Sequence, residues 1–196
     1  MAAPPEKTLE DLSGSWVMNK KLSGDTDAVL SLQGVSWFLR KTIGLATVTL
    51  NHKHYKDADG VEHIDIDQVI TPGLQGTREL RTINWTWRDH KDIVFGAVKG
   101  RTRKTRLADV GDDEDGRWMK EGWDDATLEK GECIETYVES QDKGWTANQF
   151  WGFENVDGER RYVRHVVVKD KSGKKVLRLK IIYDWAGPLP EAPATA

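Results

Sequence analysis

Between residues 6 and 187 the chain carries a single proline, Pro72; the other five, Pro4, Pro5, Pro188, Pro190 and Pro193, lie at its ends. Proline cannot donate to a β ladder, so a span this poor in it is suited to sheet. Within it, residues alternate with the period of strands over Ala46 to Tyr55, Val61 to Thr71, Thr77 to Arg88, Ile93 to Arg103, Glu132 to Ser140, Trp145 to Phe153, Arg160 to Lys169 and Val176 to Trp185. Leu12 to Lys21 adds a ninth, and a short tenth is expected around Trp118. The connections carry turn residues: Asp57-Ala58-Asp59-Gly60, Pro72-Gly73, Asp142-Lys143-Gly144, Asp157-Gly158 and Lys171-Ser172-Gly173. Loops this short join antiparallel neighbours. The expected fold is all-β, a closed antiparallel up-and-down barrel of nine to ten strands, since closure removes exposed edges.

Helical signal is confined to residues 25–46, where Asp25 can cap one short helix and Ser36 a second, Trp37 to Leu45. Such a pair between the first two strands would form a lid across the barrel. The second helix is too apolar for one buried stripe, and with Arg40 and Lys41 it offers transient contact with an anionic membrane. The segment from Ala108 to Lys130 reads as a solvated, acidic loop. The expected layout is a disordered tail over residues 1–8, one domain over 9–186 and a disordered tail over 187–196.

Composition narrows the partners. With 29 basic against 32 acidic side chains, the chain is not a general polyanion binder, and nucleic acid is not expected. No apolar run approaches the roughly 20 residues of a membrane span, and residues 1–12 lack the pattern of a secretion signal. One cysteine, Cys133, allows no internal disulfide. Together these point to a cytoplasmic protein.

Leu12-Ser13-Gly14-Ser15-Trp16 presents a G-x-W signature, followed by Leu30-Ser31-Leu32-Gln33-Gly34-Val35 and the Arg40-Lys41 pair. In order and spacing, the first 45 residues resemble the intracellular fatty-acid-binding proteins of the calycin group, and the whole chain resembles small lipocalin-like fungal proteins. That resemblance implies a hydrophobic ligand inside the barrel. The last strand lacks the Arg-x-Tyr carboxylate clamp common in that family, because Arg178 and Tyr183 fall on opposite faces; Tyr162 and Arg164 share a face in reversed order.

Nine tryptophans need a thick core or a cavity to line. Strand alternation puts Glu79, Arg81, Ile83, Trp85 and Trp87 on one face, and Trp145, Gln149, Trp151 and Phe153 on another. The expected ligand-binding residues are therefore Trp37, Arg81, Trp85, Trp87, Trp151, Tyr162 and Arg164. A tight turn at Asp57 to Gly60 would pair His54 with His63 and His52 with Asp65, a set of zinc-binding type. However, Val48 and Leu50 share one face while Ile64 and Ile66 lie on the other, so a bulge or slipped register separates the groups. No metal and no cofactor are expected, and no catalytic residue is assigned; Cys133 has no legible His and acid partner.

The leading expectation is intracellular carriage of a small hydrophobic ligand, a fatty acid or lipophilic metabolite. The alternative implied by the resemblance is a cofactor-free cyclase or isomerase of fungal secondary metabolism, of the Diels-Alderase type, in which a cavity folds a polyene and hydrogen bonds polarise a carbonyl. A filled barrel used only for protein contacts is the third reading.

Overall fold

The computed structural model describes residues 1–71 and 76–189, so the Pro72-Gly73 turn and residues 190–196 lie outside it. Its strands are β1 Gly14–Met18, β2 Thr47–Lys56, β3 Glu62–Thr71, β4 Arg78–Thr82, β5 Arg88–Asp92, β6 Gly96–Arg106, β7 Glu132–Ser140, β8 Thr146–Val156, β9 Glu159–Lys169 and β10 Val176–Gly187. Helices α1 Thr26–Leu32 and α2 Trp37–Leu45 follow β1, and α3 Glu114–Lys120 and α4 Asp125–Lys130 follow β6. The ten strands make one antiparallel sheet in the order β4-β3-β2-β1-β10-β9-β8-β7-β6-β5.

The two ends of that sheet share no ladder among the described residues. β4 instead approaches β6, where Ile83 bridges Thr102 and the Trp85 amide donates to the Thr102 carbonyl at 2.8 Å. The expected closed barrel is therefore a curled sheet with a gap between β4 and β5. The expected strand Thr77 to Arg88 is interrupted because Trp85 takes a left-handed backbone, φ 57°, which ends the alternation.

Turn chemistry fixes the registers. Asp157 and Gly158, at φ 51° and 79°, make the two-residue connection of β8 to β9. Between β2 and β3 the loop is longer than a tight turn: Asp57 accepts from the amides of Asp59 and Val61, and Lys56 pairs with Glu62. That sets Tyr55 opposite His63 and His54 opposite Ile64.

Both caps in the first helical pair form, with Asp25 accepting from the Ala28 amide and Ser36 from the Leu39 amide. α1 buries Val29 in a cluster with Trp145, Val166 and Leu179. α2 buries none of its side chains: Trp37, Phe38 and Leu45 are 64%, 76% and 90% exposed.

Two segments differ from expectation. Residues 1–8, read as a disordered tail, are docked: the Ala3 amide donates to the Arg160 carbonyl at 2.6 Å, and Arg160 Nη1 donates to the carbonyls of Pro4 and Lys7. Buried Ala3, Leu9 and Leu12 join the cluster around Trp16. The segment read as a solvated loop with a strand at Trp118 instead forms α3 and α4. These carry Met119 and Trp123 onto the outward side chains Cys133, Phe150, Val163, Val167 and Ile182 of the sheet. Trp123 stacks on His165 at 3.9 Å between centroids, over Gly152, where a Cβ would lie 2.7 Å from the indole. Asp115 of α3 pairs with Arg178 and Lys169. No helix among the described residues is long and apolar enough to cross a membrane.

Candidate functional site

The inward side chains divide the interior into two ends. At one, Trp16, Ile64, Ile66, Ile134, Trp151, Phe153 and Tyr162 are all essentially inaccessible and form a solid cluster. At the other, the inward positions of β6, β7 and β8 carry no aromatic ring: Gly100, Thr102, Val138, Ala147 and Gln149. They leave a cavity of about 410 Å³ beside the gap between β4 and β5. Its apolar wall is Phe95, Val98, Val138, Trp145 and Ala147, and its polar wall is Glu79, Arg81, Thr102 and Gln149.

The polar wall is held in place from behind. Arg81 Nε donates to Glu79 at 3.0 Å, Nη1 lies 3.4 Å from Thr102 Oγ1, and the guanidinium lies over the Trp151 ring at 5.3 Å. Trp151 Nε1 donates to Gln149 at 3.2 Å. Burial acts to raise the Glu79 carboxyl, but Arg81 and Arg164 outweigh it and hold the group below the ordinary carboxylate range.

Beneath Trp151, Arg164 lies 4.0 Å from the ring centroid, its Nε donating to the Tyr162 hydroxyl at 2.9 Å and its Nη2 to His52 Nε2 at 3.3 Å. Accepting at Nε2 places the proton of the neutral imidazole on Nδ1, which is buried with no partner among the described residues. Burial first, and then Arg164 and Arg81, push the His52 pKa well below its ordinary value. Burial likewise raises the Tyr162 phenol.

Of the seven residues expected to bind ligand, Arg81 lines the cavity. Trp151, Tyr162 and Arg164 face the interior and support the polar wall from below it. Trp37 is exposed on α2. Trp85 and Trp87 are a correction: after the left-handed turn their rings lie on the outer face of β6, with Arg101 4.1 Å from the Trp85 ring and 4.3 Å from Trp87. Thr102 and Phe95, which sequence reasoning missed, were readable in the alternation of Val98, Gly100 and Thr102 and in the apolar residue before Gly96. The histidine set is divided by register: His54 pairs with Glu62, while His63, on the other face, pairs with Asp57. Cys133 is buried in the outer cluster, where desolvation pushes its thiol pKa up and away from nucleophilic use.

A curled ten-stranded meander with a helical pair after its first strand is the fatty-acid-binding-protein fold of the calycins. Aligned with a Schistosoma mansoni fatty acid binding protein in complex with arachidonic acid, the chain gives a TM-score of 0.56 at 17% identity, over 89% of this chain and 96% of that one. By sequence, it is 33% identical over 188 residues to a probable pericyclase, scpY, of Mollisia scopiformis, covering 95% of this chain and 96% of the relative. It is 30% identical over 191 residues to the pericyclase pydY of an Acremonium species, covering 96% and 98%. No family model matches. The chain belongs to the family of these fungal pericyclases.

Proposed function

We propose that the chain is itself a pericyclase, which folds an unsaturated, amphipathic substrate in the cavity beside the β4–β5 gap and accelerates an intramolecular ring closure. Its main support is the end-to-end likeness to two pericyclases in a chain whose interior is hollow at one end. A concerted ring closure needs no nucleophile; what it needs is a chain held with its reacting termini together, for which orientation can supply about 7–11 kcal/mol. Phe95, Val98, Val138, Trp145 and Ala147 supply a wall for the hydrocarbon. Opposite them Arg81, whose contact to Thr102 is long at 3.4 Å, can turn an N–H to a substrate carbonyl and draw electron density from the conjugated partner. Glu79 and the Trp151 ring keep the guanidinium from swinging away.

Such a reaction leaves the molecular mass unchanged. Deletion of the gene in its source is expected to accumulate an isomer of a normal metabolite, and purified protein is expected to convert that isomer. Extracts with no isomer, or a change of mass, would sink the proposal. The fatty-acid-binding fold favours a second reading, carriage of a small hydrophobic ligand; in that case the protein retains the isomer but returns it unchanged.

A further inference from the structure

On the outer face of β6, Lys99, Arg101 and Arg103 stand two residues apart, and Trp85 and Trp87 insert between them. Lys99 lies 4.7 Å from the Trp87 ring, and Arg103 lies 4.1 Å from Trp85. With Arg101 between the rings, this is a five-layer stack of alternating cations and indoles. The register with β7 places Glu139 opposite Lys99, Tyr137 opposite Arg101 and Glu135 opposite Arg103. The two outer cations take those carboxylates, at 3.0 Å and 2.7 Å. Arg101 in the middle faces a phenol, has no carboxylate within ion-pair distance among the described residues, and carries a buried Nε with no hydrogen bond.

Although its side chain stands on the outer face, Arg101 is at the β4–β5 gap and, with Arg88, is among the residues that border the cavity there. The other two arginines of the lining are already paired, Arg78 with Asp67 at 3.3 Å and Arg81 with Glu79. Among the described residues of the lining, Arg88 and Arg101 thus stand against one further carboxylate, Asp89, and the rim has an excess positive charge. Both indoles stack on the Arg101 guanidinium, and an oxyanion would approach it at the edge that carries its terminal N–H donors.

We propose that Arg101, with Arg88, forms a rim subsite for the acidic end of an amphipathic anion, a carboxylate or enolate, whose apolar body enters the cavity. This rests on the reading of that cavity as the ligand site. It divides the work: the interior arginine, neutralised by Glu79, polarises a neutral carbonyl, and the full negative charge stays at the rim, where less desolvation is required.

The test uses a matched probe pair, anilinonaphthalene sulfonate and its uncharged parent phenylnaphthylamine, titrated by fluorescence into the wild type, Arg101→Gln and Arg101→Lys, each with its melting temperature. The expected result is that Arg101→Gln weakens the sulfonate by about tenfold or more and the uncharged probe by less than about twofold, with Arg101→Lys between. Equal losses for both probes, or an unchanged sulfonate affinity, overturn the subsite while leaving the cavity reading intact. If neither probe binds the wild type, the cavity reading falls and the subsite with it. Should Arg101→Gln unfold, Arg88→Gln carries the same comparison, with a smaller selective loss expected.

Discussion

The two ends of the interior are built by the same strands and differ in what those strands point inward. Following the paired registers of β7, β8 and β9, one row reads Val138, Ala147 and Val168, and the next reads Thr136, Gln149 and Val166. The third reads Ile134, Trp151 and Arg164, and the next pair on β8 and β9 is Phe153 and Tyr162. Side-chain volume rises along the curled sheet, and the interior passes from hollow to solid. The lesson is that a cavity in this fold is set row by row, while the ladder stays the same. The solid end carries stability, and the hollow end is free to carry chemistry.

The comparison is broken most strongly by exchanging the rows. Trp151→Ala should cost about 3–5 kcal/mol in denaturant unfolding, since it empties the centre of the solid cluster. Ala147→Trp, which grows into existing space, should cost under about 1 kcal/mol while abolishing ligand binding at the cavity. Similar losses from both would mean that the hollow end is not hollow in solution. The outer layer gives the next effect: Gly152→Ala drives a methyl into the Trp123 ring and should cost about 1–3 kcal/mol, read as a lower melting temperature. No change there would mean that α3 and α4 do not cover the sheet.

A smaller effect comes from His52, which is buried and neutral in the solid end. Below the unfolded imidazole pKa of about 6.5 the unfolded chain binds a proton that the folded chain refuses, so stability falls as pH falls. His52 should contribute a slope of about 1.4 kcal/mol per pH unit below that point. His52→Gln, which keeps an acceptor for Arg164, should flatten the stability profile between pH 6 and pH 5 by that one proton, a range set by the unfolded value. An unaltered slope would place a charged imidazole in the core. Smallest of all, Trp37→Ser with Phe38→Ser should move stability by less than about 0.5 kcal/mol for each residue, because both rings are in water. A loss of several kcal/mol would mean that α2 packs on the sheet.

What could be read from sequence tracks how local its cause is. The caps at Asp25 and Ser36 and the turn at Asp157-Gly158 are set by neighbouring atoms, and they form as the residue types require. The β2–β3 register was legible only as a conflict between a tight-turn pairing and the apolar faces; the slip has its cause in Asp57, which closes a longer loop through its own side chain. Arg81 and Glu79 were legible as one face of a strand. Trp85 and Trp87, on the same pattern, were not, because one left-handed residue redirects them and nothing in an indole announces it. α3 and α4 are too short to show a period, and α3 contains Gly116; their stability comes from β7 to β10, which follow later in the chain. The hollow end was half legible: the sizes of Ala147, Gln149 and Trp151 could be read along β8, but the matching rows on β6 and β7 needed the register.

The measurement that bears most directly on the account is conversion, by wild type and by Ala147→Trp, of the isomer that accumulates when the gene is deleted. Wild-type protein is expected to return a product of the same mass with a new ring, and the filled variant, still folded, to return the isomer untouched. An isomer that binds wild type and is recovered unchanged, or one that Ala147→Trp converts as fast as wild type, contradicts it.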